Sequence, residues 1–177
     1  MLPKTADIVI IGGGVMGASA AYHLLTHPGA GGTPSIVLLD RDEFFGNGAT
    51  GRCAGGVRVQ FATEVNIQLS LHSLRMFEQF EEQLDQPINL RRCGGLFLLS
   101  NEIDLTSFRK SVALQNRLGA ETRIVNPGEI AVLAPSLRLD GIIGGSYNPQ
   151  DGLVDPNSVV QGYIRAARKW GATLLTD

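Results

Sequence analysis

The chain has 177 residues, 44% hydrophobic and 18% charged, with 15 basic and 17 acidic side chains leaving a net charge of −2. That balance builds a core and excludes global disorder, and the absence of a basic surplus excludes nucleic-acid binding driven by phosphate contacts. Two cysteines, Cys53 and Cys93, give neither a disulfide framework nor a zinc spacing, so no metal site is expected and a reducing, cytoplasmic location is favoured.

Residues 6–11 form a continuous apolar run rich in β-branched side chains and read as a buried parallel strand. Lys4, this run and Ala18-Ser19-Ala20-Ala21 superficially resemble a secretory leader, but Asp7 and the glycines Gly12, Gly13 and Gly14 interrupt it. No stretch reaches the ~18 apolar residues of a membrane span. From 15 to 25 the pattern turns helical, with Val15, Ala18, Ala21, Leu24 and Leu25 on one face. A loop rich in glycine and proline follows, and residues 35–39 make a second buried strand that closes on Asp40. Strand, glycine turn, helix and strand within about 40 residues have the size of a βαβ unit.

Residues 44–56 lack periodicity. Residues 63–84 return to helix, with Val65, Leu69, Leu71, Leu74, Phe77, Phe80 and Leu84 as the expected buried stripe. A strand over 90–100, a helix over 105–118 ended by Gly119, a brief strand over 122–125 and a short helix opened by Pro127 come next. After a strand over 142–147, Asp155 and Pro156 read as the cap and first position of a helix. Its apolar face is Val159, Val160, Tyr163, Ile164, Ala167 and Trp170, and a strand over 172–176 follows. A strand placed against the last residue, Asp177, suggests the front part of a longer protein.

The spacing Gly12-x-Gly14-x-x-Gly17, after a strand and opening a helix, is the dinucleotide fingerprint. Gly12 permits the tight turn, Gly14 lets backbone approach a pyrophosphate, and Gly17 lets the helix pack close to the strand. Amides and dipole at the helix start favour the phosphate charge. Asp40, 23 residues past Gly17, stands where a carboxylate accepts ribose hydroxyls and disfavours a 2′-phosphate. The fingerprint alone leaves NAD and FAD both open.

The segment from Asp40 through Phe61, which includes Gly46-Asn47-Gly48-Ala49-Thr50-Gly51-Arg52-Cys53-Ala54-Gly55-Gly56, resembles the second FAD-binding stretch of the D-amino-acid-oxidase-like flavoenzymes. Cys93-Gly94-Gly95-Leu96-Phe97-Leu98-Leu99, the stretch from Ser146 to Pro156, and the junction from Ala166-Ala167 to Gly171-Ala172 are similar to that family too. Glycine oxidase and the β-subunits of sarcosine oxidase and proline dehydrogenase are the members it most resembles. The resemblance implies FAD as cofactor. Val15 and Met16 would place backbone at the pyrophosphate, and Asp40 and Arg41 would hold ribose and adenine edge. Ala49, Thr50, Gly51 and Arg52 would meet phosphates and ribityl chain, and Ala54, Gly55 and Gly56 would lie beside the isoalloxazine. Arg58 is weighed between a substrate carboxylate, a phosphate and a structural ion pair; Cys53 and Cys93 are expected to be buried bystanders, and the histidines structural.

The implied fold is α/β: a Rossmann-like FAD domain with the beginning of an antiparallel substrate domain. Residues 1–87 and 148–177 would belong to the former and 88–147 to the latter. The implied activity is oxidation of a small amino acid or secondary amine by hydride transfer to flavin N5, giving an imine, with oxygen or a partner redox subunit as electron acceptor. Family members are roughly twice this length, so the substrate-binding groups would lie outside this chain, no catalytic residue is assigned in it, and alone it would be inactive. An NAD-dependent Rossmann dehydrogenase and a non-catalytic flavin-binding assembly subunit remain the alternatives.

Overall fold

The computed structural model describes residues 3–177. In chain order the elements are β1 (Ile8–Ile11), α1 (Val15–Thr26), β2 (Ile36–Leu39), β3 (Gly56–Val57), α2 (Glu64–Glu78), α3 (Phe80–Leu84) and β4 (Gly95–Leu99). There follow α4 (Glu102–Arg117), β5 (Arg123–Val125), α5 (Pro127–Leu133), β6 (Gly144–Asn148), β7 (Gly152–Leu153), α6 (Pro156–Lys169) and β8 (Thr173–Leu175). Packing divides them into two compact units. The first comprises the chain up to Gly55, Gln79–Asn89 and Val154–Asp177; the second comprises Gly56–Glu78 and Leu90–Leu153.

In the first unit three parallel strands lie in the order β1-β2-β8, with Ile8 opposite Ile36 and Val37 opposite Thr173. The central strand is the apolar one: Ile36, Val37 and Leu38 are all buried. β1 departs from the expected buried strand, because Val9 and Ile11 are 55% and 86% exposed. Val9 and Ile11 alternate onto the same face of this edge strand, and both are left open there. α1 packs on α6, where the rings of Tyr22 and His23 lie 5.6 and 5.7 Å from that of Tyr163, and Ala18 and Ala21 of α1 are fully buried. Leu24, placed on the same stripe by spacing, is 38% exposed.

α6 keeps its expected start. Asp155 accepts from the Asn157 amide and Pro156 takes the first turn. Ser158 also donates to Asp155, which holds that carboxyl below its ordinary value. Val159, Val160, Tyr163, Ile164 and Ala167 are buried, and the Phe80 ring meets Tyr163 edge-on at 4.9 Å. Trp170 does not continue the stripe. The helix ends at Lys169, so Trp170 becomes the C-cap and its side chain turns 56% exposed.

In the second unit β6 lies between β4 and β5 in an antiparallel sheet, and β3 pairs antiparallel with β7. Two-residue strands are too short for a period-2 signal, which is why β3 and β7 escape a sequence reading. Ile67, Leu71 and Leu74 of α2 pack with Val59 and Ala120. Val65 and Leu69, expected in the buried stripe, are each 60% exposed, so the stripe lies on a neighbouring face of the helix. The single helix expected over 63–84 is broken at Gln79, and its two pieces enter different cores. Residues 56–78 and 148–153 therefore pack with the second unit, whereas the division at 87 and 147 puts them with the first. Asn101 caps α4, and Asn126 with Glu129 forms a reciprocal capping box on α5.

Candidate functional site

β1 ends at Ile11, and Gly12 then takes φ of 105°, a left-handed conformation that a side chain would strain. Its amide donates to the Leu39 carbonyl at 2.8 Å, which stitches the turn to the end of β2. Two residues on, Gly14 becomes the N-cap of α1 with no side-chain cap and no acidic residue in the first turn. The contrast within the molecule is direct, because α4, α5 and α6 are capped by the side chains of Asn101, Asn126 and Asp155. α1 presents the positive end of its dipole without an acidic group of its own, which suits an external anion.

Gly17 explains the third position of the fingerprint. A Cβ built on it would run into the Gly12 carbonyl oxygen and approach Ile10 Cγ2 at 3.2 Å. Only a residue without a side chain lets the first turn of α1 sit against the glycine turn. A Cβ on Gly13 would likewise collide with the Phe45 ring.

Asp40 lies beside this turn. Its Oδ2 accepts from the Gly13 amide at 2.5 Å, and its Oδ1 accepts from the Asp42 amide at 2.9 Å. Each carboxylate oxygen accepts more than one bond, so both keep capacity for hydroxyl donors. From the loop after β2, Thr50 Oγ1 accepts from the Val15 amide at 3.1 Å. Gly12, Gly13, Val15, Asp40 and Thr50 are thus one hydrogen-bonded cluster within the first unit. Thr50→Val removes one neutral hydrogen bond and is expected to cost about 1 kcal/mol in urea unfolding of this chain. An unchanged midpoint would show that Thr50 does not hold the turn.

The other expected site residues lie outside that cluster. Met16 is 82% exposed, so only its backbone faces the turn. The Arg41 side chain is 93% exposed and lies 4.0 Å from Asp42. Ala49, Gly51, Arg52 and Ala54 are exposed on the loop. Gly55 is buried with φ of 73°, and its carbonyl accepts from the Val154 amide at 2.9 Å, next to the cap of α6. Gly56 opens β3 and belongs to the second unit. Cys53 and Cys93 are both exposed, contrary to the burial expected of them, because each lies in a loop where the backbone turns without a core beneath it.

A second polar cluster went unread in the sequence. In the second unit Asp151 is 3% exposed; its Oδ1 accepts from the Val59 amide at 2.7 Å and its Oδ2 from Gln60 Nε2 at 2.8 Å. Gln60 Nε2 also donates to the Gly95 carbonyl, and Gln60 Oε1 accepts from Ser146. Arg58 lies over the rings of Phe61 and Phe97, 5.0 and 5.8 Å from their centroids, with a favourable charge interaction with Asp151. The one available signal was the position of Asp151 inside the stretch from Ser146 to Pro156.

The residues present fit the dinucleotide that the fingerprint implies. A helix with no acid in its own first turn, a turn too tight for side chains, and a carboxylate at the second strand end are complementary to pyrophosphate and ribose. Among the described residues no group of three metal-ligating side chains is gathered, and no helix is long and apolar enough to cross a membrane.

Comparison with known proteins agrees with this geometry. The family described as FAD dependent oxidoreductase matches residues 7–177. The chain is 32% identical over 170 residues to mitochondrial dimethylglycine dehydrogenase of Mus musculus, covering 96% of this chain and 19% of that protein. It is 31% identical over 177 residues to mitochondrial sarcosine dehydrogenase of Homo sapiens, covering 99% and 19%. Among solved structures, L-proline dehydrogenase from P. horikoshii superposes with a TM-score of 0.87 at 30% identity, covering 99% of this chain and 45% of that one. The chain thus spans about a fifth of the curated relatives and under half of the solved structure.

Proposed function

The chain belongs to the FAD-dependent oxidoreductase family, and from that premise we propose that it forms the FAD-binding part of an enzyme that oxidises a small amino acid or secondary amine of the glycine, sarcosine, proline or D-amino-acid type. The observation that carries this reading is the start of α1, with no side-chain cap from Gly14 and no acid in its own first turn, preceded by a glycine turn tied by hydrogen bonds to Asp40 and Thr50.

In this reading the first unit is the cofactor domain and the second the beginning of the substrate domain. The backbone from Gly12 through Gly17 takes the pyrophosphate, with Val15 and Met16 contributing main chain only. Asp40 binds the adenosine ribose and Arg41 the adenine edge. Ala49, Thr50, Gly51 and Arg52 hold the phosphates and ribityl chain, and Ala54, Gly55 and Gly56 leave room for a flat ring. Bound FAD supplies the acceptor for the electrons that leave the carbon next to nitrogen. The chain's own residues orient that acceptor; the groups that touch substrate come from sequence beyond these residues. The unpaired Cys53 and Cys93 favour a reducing compartment; the cytoplasm is one, and the mitochondrion named for the mammalian relatives is another.

The test is a visible spectrum after incubation with FAD and removal of free ligand, with NAD as control. The chain alone is expected to hold FAD weakly and to turn over nothing. A form extended to the length of its relatives is expected to retain the flavin band, release it on denaturation, and lose its colour on reduction by one of the four amine classes. Oxygen uptake against dye reduction then identifies the acceptor. An extended form that ignores FAD, or keeps NAD instead, sinks the proposal; flavin that no amine reduces would make the protein a binding subunit.

A further inference from the structure

We propose that Asn47-Gly48, in the loop between β2 and β3, is a site of spontaneous covalent modification, at which the Asn47 carboxamide is exchanged for a carboxylate through a cyclic imide. It is the only Asn-Gly pair among the eight asparagines of the chain. The Gly48 nitrogen bonds to Asn47 Cγ, the Cγ–Nδ2 bond breaks, and ammonia leaves with the proton that the Gly48 nitrogen gives up. Water then opens the imide at either carbonyl. One opening gives aspartate on the original backbone; the other gives isoaspartate, with the chain routed through Cβ. Nothing is oxidised or reduced, and water is the co-reactant.

The reaction needs a carboxamide free to turn and an unbonded, unshielded amide on the next residue. The loop supplies both. Asn47 and Gly48 are exposed. The Asn47 amide donates to the Phe44 carbonyl at 3.4 Å, but among the described residues the Asn47 side chain and the Gly48 amide make no hydrogen bond. Gly48 also has no backbone reason to be glycine: its φ is not left-handed, and a Cβ on it would meet nothing within 4 Å. Its neighbours differ. Gly46 is left-handed at φ of 88°, and a Cβ on Gly51 would run into the Gly46 carbonyl oxygen. The other asparagines each lack a requirement. Asn126 and Asn148 precede prolines, which have no amide proton to give up. Asn101 and Asn116 hold both ends of their carboxamides in hydrogen bonds. Asn66 and Asn157 lie in α2 and α6, and Asn89 precedes the bulky Leu90.

Thr50, on the same loop, accepts from the Val15 amide at the start of α1. The new carboxylate therefore stands on the segment assigned above to the phosphates. Its effect on the cofactor rests on that reading: like-charge repulsion weakens FAD binding.

The chain is incubated in mildly acidic and in mildly alkaline buffer, digested, and its peptides are mass-analysed with fragmentation that separates aspartate from isoaspartate. The peptide over Asn47 is expected to gain the mass of an amide-to-acid exchange, faster in alkali because base removes the Gly48 proton, with isoaspartate among the products. N47Q is expected to lose the exchange, and G48V to slow it at least about tenfold, since a β-branched side chain shields the nitrogen. Asn101 and Asn126, held as caps, are expected to stay intact over the same time. Both substituted positions are exposed, so the variants keep the fold, which circular dichroism verifies. An intact Asn47, an exchange no faster in alkali, an unslowed G48V or equal exchange at Asn101 overturns the inference. In the extended form, N47D is expected to hold FAD severalfold more weakly than the parent, and N47Q equally well. An N47D that holds FAD as the parent does overturns the effect on the cofactor. An extended parent that ignores FAD sinks the flavin reading and leaves the peptide result standing.

Discussion

Gly17→Ala is expected to lower the melting temperature of this chain by about 4–8 °C, although alanine is the better helix former. Two effects oppose each other. Helix propensity favours alanine by about 1 kcal/mol. Against it, the new methyl would occupy the space of the Gly12 carbonyl oxygen and press on Ile10 Cγ2. That oxygen is backbone, and the Gly12 amide of the same turn is bonded to Leu39, so the obstacle cannot swing aside as a side-chain end can. Overpacking against fixed backbone costs about 3 kcal/mol, and the net loss is about 2 kcal/mol. Moving α1 away would also loosen its packing on α6, where Tyr22 and His23 meet Tyr163. In the extended form the same change is expected to abolish flavin retention, because the amides at the start of α1 shift with the helix. Calorimetry of the chain and the flavin band of the extended form are the two readouts. A melting temperature equal to or above the parent's would mean that the glycine turn relaxes freely and that close packing does not explain Gly17.

Asp151→Ala is expected to cost about 3 kcal/mol, because it leaves the buried Val59 amide without an acceptor and takes one of two acceptors from Gln60 Nε2, which keeps only the Gly95 carbonyl. Gln60 cannot turn over to compensate, since its Oε1 already accepts from Ser146. The pH dependence distinguishes this carboxylate from those at the surface. Burial raises the Asp151 carboxyl above its ordinary value, more than the bonds from Gln60 and Val59 and the charge of Arg58 lower it. Between the ordinary value and the raised one, the folded chain keeps a proton that the unfolded chain has released. Its contribution to stability is therefore fully present below the ordinary aspartate range and declines as pH rises through the folded value. Asp7, held low by Ser35, and Asp155, held low by Ser158, have the opposite sign: their contributions are present above the ordinary value and are lost as pH falls through the lowered ones. Urea unfolding across acidic pH should show the gap between parent and Asp151→Ala widest at the acid end and narrowing as pH rises. A gap that widens with pH would mean that the hydrogen bonds outweigh burial.

The two sites differ in how much of each can be read without coordinates. Gly12, Gly14, Gly17 and Asp40 declare themselves by spacing, because the requirement for no side chain is local and the chain returns to the same point after one βαβ unit. Thr50 was placed among the phosphate contacts; its bond to the Val15 amide, across 35 residues, belongs to tertiary structure. The Asp151 cluster joins residues 91 and 92 positions apart, and nothing near Asp151 in sequence points to Val59 or Gln60. The exposure of Cys53 and Cys93 has the same origin, since burial depends on what packs above a residue and not on its type.

By itself the sequence determined the order of the main elements, the N-terminal cap of α6, the dinucleotide fingerprint and the family. These rest on local chemistry: turn geometry, apolar period, cap residues and a motif whose parts lie close along the chain. Tertiary structure decided the rest. It broke the helix over 63–84 at Gln79 and sent its halves to different cores, which periodicity cannot register because Phe77 and Phe80 keep helical spacing across the break. It turned the stripe of α2 away from Val65 and Leu69, left Val9 and Ile11 exposed on β1, and turned Trp170 out beside Lys169 and Arg165. Apolar spacing says which residues can be buried together; only the neighbours that arrive in three dimensions decide which of them are.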